Sequence, residues 1–175
     1  WTASPLYILY FVKTLKADES WLGLNGTVVS VTTIFAFMIW RKWMAHIGEP
    51  LTLKITIPIY AIYPMLVGLS PNLTLVLVAG IFYAFFAAGV SLSHLNVLLR
   101  VIPDEKRPQY IAYYTALMNA GAFVAPLIGV RLADTIGLAP TLIGCGLLAG
   151  LGGLSFTLWP VRVPDPRPLP APEEG

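Results

Sequence analysis

Residues 55–99 form a run of 45 positions without a single Asp, Glu, Lys or Arg, in which the one titratable imidazole is His94. A helix needs about 20 apolar residues to cross the hydrocarbon core of a bilayer. This run therefore holds two crossings and the turn between them. A soluble domain carries roughly a quarter of its residues as charges, because ionised side chains must clothe its core. Here 11% of the 175 residues are charged and 57% are hydrophobic, and the mean hydropathy is +0.73. These proportions point to an integral membrane protein. The net charge of +2 gives no footing for nucleic-acid binding. Cys145 is the one cysteine in the sequence, so no intrachain disulfide is expected.

Five full-length crossings are expected at residues 21–40, 51–69, 73–99, 108–130 and 140–159, with Ser70, Pro71 and Asn72 closing the second. A shorter apolar stretch at residues 5–12 is read as the end of a sixth helix whose beginning lies upstream, so that the chain is a fragment. Helices are expected because lipid offers the backbone no hydrogen-bond partners. A transmembrane barrel would instead alternate apolar and polar residues. Residues 161–175 hold five prolines and are expected to form a disordered cytoplasmic tail after a six-helix bundle at 1–160.

Pro58 and Pro64 fall inside the second full crossing and Pro126 inside the fourth. Kinks there are tolerated because neighbouring helices re-satisfy the freed carbonyls. Small residues recur every fourth position: Gly80, Ala84 and Ala88; Gly121, Ala125 and Gly129; Gly146 and Gly150. Such spacing lets helix backbones approach closely in lipid, and ordinary bundle packing explains it.

Basic residues favour cytoplasmic loops. Arg41, Lys42, Lys54, Arg100, Lys106, Arg107, Arg162 and Arg167 collect on one side, against Lys13, Lys16 and Arg131 on the other. The asymmetry places the C-terminus and the connections at 41–54 and 100–108 in the cytoplasm.

A shift of 89 residues superposes IWRKWMAHIGEPLTL, beginning at Ile39, on IGVRLADTIGLAPTL, beginning at Ile128. Ile47 then matches Ile136, Gly48 matches Gly137, and Thr52-Leu53 match Thr141-Leu142. The copies lie three helices apart, an odd number, so they cross the membrane in opposite directions. Inverted three-helix repeats are a transporter architecture.

The stretch from Gly129 to Gly137, GVRLADTIG, resembles the Gly-x-x-Leu-Ala-Asp-x-x-Gly pattern of the major facilitator superfamily. Its marked positions are Gly129, Asp134 and Gly137. PDEKR, from Pro103 to Arg107, is similar to the loop before that family's eleventh helix, and DESWLG, from Asp18, to the loop between its seventh and eighth. The resemblance implies an all-α, polytopic transmembrane bundle, half of a twelve-helix fold, running from mid-helix seven to helix twelve. It also implies that the other partner is a missing N-terminal half of the same protein. One departure stands out. The loop after the eighth helix usually carries an acid and then a base that latch the cytoplasmic gate, whereas this chain has Ala45 and His46 and keeps only Gly48. Arg41, Lys42 and Arg107 are left as candidates for pairing across the cytoplasmic face, beside their plainer role as topology-setting charges.

Polar groups at membrane depth tend to face a cavity or the bundle interior. Asn119 stands at the middle of its crossing. Asn25 and Thr32, seven apart, share one helical face. Tyr83, Ala87, Ser91 and His94 form a stripe. Asn119, Asn25, Thr32, Tyr83, Ser91 and His94 are therefore the candidates for a substrate cavity, against the simpler reading that they only tie helices together. His94 is the group within the crossings able to titrate near neutral pH, and no carboxylate lies within them.

The chain is expected to be a secondary transporter, a permease or efflux protein, that moves a small-molecule substrate by alternating access. Its expected place is the inner or plasma membrane, with the lipid bilayer as partner and with no cofactor, no metal, no nucleic acid and no enzymatic activity. A membrane-embedded lipid-modifying enzyme or a structural subunit of a membrane complex are the alternatives.

Overall fold

The computed structural model describes residues 1–158; the end of the fifth expected crossing at Trp159 and the proline-rich tail lie outside the described residues. Every element among the described residues is helical: α1 (Ser4–Leu9), continued by a π-helical turn at Tyr10–Thr14, α2 (Glu19–Ile47), α3 (Glu49–Ala61), α4 (Tyr63–Leu69), α5 (Leu73–Val101), a 3-10 turn at Asp104–Lys106, α6 (Arg107–Ile136) and α7 (Leu138–Leu158). Among the described residues five segments are long and apolar enough to cross a bilayer, with α3 and α4 counted together as Glu49–Leu69. They fall on the five expected crossings.

The helix starts follow local chemistry. Asp18 caps α2 by accepting from the Trp21 N–H at 2.8 Å, and Asn72 caps α5 by accepting from the Leu75 N–H at 2.9 Å. Each satisfies a donor that the helix itself leaves unpaired. The second crossing divides at Ile62, whose N–H turns to the Ile59 carbonyl at 3.3 Å. Pro64, lacking an N–H, sits in the first turn of α4. Pro58 stays inside α3 and Pro126 inside α6.

The helices pack through their small residues. Gly80, Ala84 and Ala88 are buried on α5, which packs against α2, α3 and α4. At Gly89 an added Cβ would lie 2.8 Å from both Thr56 and the Trp40 ring, and the Trp40 Nε1–H donates to the Phe85 carbonyl at 2.8 Å. On α7, Gly146 admits the Met65 backbone at 2.5 Å from the same hypothetical atom, whereas Gly150 meets nothing within 4 Å. On α6, Gly129 lies against the Thr2 backbone and Gly121 against Trp1.

The pairings obey a three-helix exchange. Replacing α1, α2 and α3–α4 by α5, α6 and α7, and the reverse, turns the α2–α5 contact into α6–α1, α3–α5 into α7–α1, and α2–α3 into α6–α7, all of which occur.

Candidate functional site

The repeat becomes geometry at two one-residue joints. Gly48 connects α2 to α3 with φ +80° and ψ 160°, and Gly137 connects α6 to α7 with φ +94° and ψ 162°. This backbone region is essentially open to glycine alone. The Gly48 N–H donates to Met44 O and the Gly137 N–H to Ala133 O, residues again 89 apart. Each glycine carbonyl accepts the hydroxyl of a threonine four residues on, Thr52 at 2.8 Å and Thr141 at 2.7 Å. Thr52, Leu53, Thr141 and Leu142 are all buried. One glycine and one threonine thus end one helix and start the next.

The two joints lie at opposite ends of the bundle. Beside the first, Arg100 at the end of α5 pairs with Glu49 at 3.0 Å, and Arg107 donates to the Leu99 carbonyl at 3.2 Å. Beside the second, Gly68 packs against the Ala139 carbonyl, and the Tyr10 hydroxyl donates to the Gly68 and Ser70 carbonyls at 3.3 and 3.1 Å. Connections 41–54 and 100–108 therefore share one end. Arg41, Lys42, Ala45 and His46 are exposed there, and Asp134 is exposed near the other end.

The polar residues singled out from the sequence divide into three settings. Asn25 faces α5, its Oδ1 buried with no hydrogen-bond partner among the described residues and 3.5 Å from where a Cβ on Gly80 would stand. Thr32, on the same helix, is half-buried. Ser91 and His94 are exposed on α5 and Asn119 is exposed on α6. His94 Nε2 lies 3.4 Å from the Tyr114 hydroxyl of α6, with ring centroids 5.6 Å apart. Tyr83, about 16 Å up α5 from His94, belongs to a different neighbourhood. It stacks on Tyr60 at 5.1 Å and tilts against Tyr63 at 4.3 Å, and Tyr63 in turn meets Tyr7 at 5.1 Å.

Tyr7, Tyr60 and Tyr83 help line a cavity of about 610 Å³ between residues 1–3, α1, α3, α4, α5, α6 and α7, and Thr141, Gly144 and Cys145 form its α7 wall. Sequence reasoning reached Tyr83 through its stripe and missed Tyr7, Tyr60, Tyr63 and Tyr114, as well as Glu49. Tyr60 and Tyr63 are three apart and lie within the Pro58–Pro64 segment, the one local sign of a shared face. Among the described residues no group of three His, Cys, Asp or Glu side chains is placed to hold a metal.

An all-helical bundle of five crossings, folded as two copies of opposite sense with polar side chains at membrane depth, is an integral membrane protein of the kind that moves solutes. Comparison with known proteins makes this specific. The sequence profile described as Major Facilitator Superfamily matches residues 1–175, and the chain belongs to that family of membrane transporters. It is also similar to the efflux pump patC of Aspergillus clavatus, with 27% identity over 124 residues, or 68% of this chain and 21% of that protein. The chain thus spans about a fifth of that relative's length. No solved structure matches it.

Proposed function

We propose that the chain is the C-terminal six-helix half of a secondary transporter that moves a small solute by alternating access. The observation that carries this reading is the polar set left on the outside of α5 and α6. Ser91, His94 and Asn119 are exposed although they sit at membrane depth, and Tyr114 joins His94. An amide or imidazole facing hydrocarbon costs free energy that a water-filled path or a second protein surface removes. One turn on from Asn119, on the same helical face, α6 also exposes Phe123 at 74%. A preceding six-helix half of the same polypeptide covers this face, and the path runs between the halves.

Asn25, half-buried with its Oδ1 enclosed against α5, stands near the end of α2 far from the Gly48 joint. His94 and Tyr114 stand toward the opposite end, beside Arg107 and the Gly48 joint. The basic-residue asymmetry supports a cytoplasmic location for that end and for the C-terminus, in an inner or plasma membrane. The patC likeness supports export as the direction. Arg41, Lys42 and Arg107 act as the charged rim of the cytoplasmic mouth, and Asp134 and Gly137 stand at the opposite rim, while Gly129 is buried against the Thr2 backbone.

Two measurements test this on the full-length protein in proteoliposomes. Saturable, solute-selective flux is expected, and replacement of Asn119 by Leu or His94 by Ala should lower it while leaving the protein folded. Cysteines placed at Ser91 and Asn119 should react with a water-soluble thiol reagent. Non-saturable leak, or both cysteines shielded, contradicts the proposal.

A further inference from the structure

Trp40 is 2% exposed, and α5 fixes it in two ways. Its Nε1–H donates to the Phe85 carbonyl at 2.8 Å. One turn further along α5, a Cβ added to Gly89 would lie 2.8 Å from the indole ring and 2.8 Å from Thr56 of α3. Carbon atoms in ordinary contact stand about 3.5–4.0 Å apart, so the ring rests where glycine leaves it room. Met44, one turn after Trp40, has its sulfur 3.7 Å from the Ser93 hydroxyl, and that hydroxyl donates to the Gly89 carbonyl at 2.7 Å. Ala36 and Ala88 complete the buried cluster around the indole.

α2 thus grips α5 with two residues four apart, Trp40 and Met44, on a row also spaced by four, Phe85, Gly89 and Ser93. An indole N–H inside a membrane bundle needs an acceptor, and this one ties the side chain to the backbone of its neighbour. At about 100° per residue, Ser91 lies about 200° and His94 about 140° round α5 from Gly89. The gripped row and the exposed polar pair therefore occupy opposite sides of one helix, and a displacement on one side reappears on the other. The repeat does not demand this grip. Under the 89-residue shift Trp40 falls on Gly129, so the second copy builds its bundle with no side chain at this place.

We infer that Trp40 is a positioning residue for the solute path: through Phe85 and Gly89 it sets the rotation and lateral position at which α5 presents Ser91 and His94. The inference rests on the path proposed above.

The test reads accessibility and needs no solute. The full-length protein, freed of its native cysteines, carries a single cysteine at Ser91 and is reconstituted in nanodiscs. The rate of its reaction with methanethiosulfonate ethyltrimethylammonium, a water-soluble thiol reagent, is measured. Gly89→Ala sets a Cβ against Trp40 and Thr56, so that α5 must move by about 1 Å to regain ordinary contact. Trp40→Phe removes the N–H and shortens the ring. Because a close-packed interior transmits strain, each variant is expected to change the Ser91→Cys rate by about threefold or more. Gly80→Ala is the control. It lies on the same contact between α2 and α5, but its Cβ would stand 3.5 Å from Asn25 and Val29, an ordinary separation, and the rate should stay as it was.

If Gly89→Ala does not elute as a monodisperse species, Trp40→Phe decides. An unchanged rate in either folded variant, or an equal change in Gly80→Ala, overturns the inference and leaves the path standing. A Ser91→Cys that is shielded in the otherwise unaltered protein removes the path itself, and the inference with it.

Discussion

The joint after α2 and the joint after α6 share one backbone and differ in what surrounds it. Both are a single glycine in a conformation that other residues avoid, and both use a threonine hydroxyl to close the turn. The next residue departs. Glu49 follows Gly48 and pairs with Arg100, whereas Leu138 follows Gly137 and packs against the buried cluster around Leu6, Tyr63 and Leu142. The turn is therefore set by Gly and Thr, and the neighbouring position is free to suit its side of the membrane. One end is tied by charge and the other by apolar packing.

The largest effect that sharpens this comparison is expected at the glycines. Gly48→Ala and Gly137→Ala should each destabilise the protein by about 1–3 kcal/mol, because both force a side chain into a glycine-only region. Reversible unfolding in mixed micelles measures this, and a cost at one joint alone breaks the equivalence. A smaller effect, about 1 kcal/mol, is expected for Thr52→Val and for Thr141→Val, each of which removes one hydroxyl hydrogen bond while keeping the shape. The smallest belongs to the feature the joints do not share. Glu49→Gln or Arg100→Gln should cost less than about 1 kcal/mol, since the Arg100 side chain is 42% exposed and solvent screens the pair. That loss should fade as salt is added, and no matching salt dependence should follow from Leu138→Gln.

Much of the architecture is visible in the sequence because lipid makes its demands locally. Uncharged runs of crossing length fix the five spans, and the 89-residue match anticipates the joints, since a turn with positive φ and extended ψ demands glycine wherever it recurs. The break at Ile62 is harder to place. Pro58 and Pro64 both lie in the span, and which of them interrupts the helix depends on how α3 and α4 pack on α7. The π-helical turn at Tyr10–Thr14 carries no proline or glycine to announce it.

The site is less legible than the fold. The stripe of Tyr83, Ala87, Ser91 and His94 does share a face that is not fully buried, yet its ends serve different neighbourhoods. Tyr83 joins rings from α1, α3 and α4 that lie far away in the chain, and His94 joins Tyr114 across to α6. Helical spacing reveals which residues align on one rod. It does not reveal which other rod they meet.

The most direct test of the inverted arrangement is sidedness. With Cys145 replaced, single cysteines at Ala45 and Thr135, both exposed, are labelled from one side of the membrane with an impermeant maleimide in the full-length protein. The account predicts that Thr135→Cys reacts from outside intact cells and Ala45→Cys only after the membrane is opened. Labelling of both positions from the same face would contradict it.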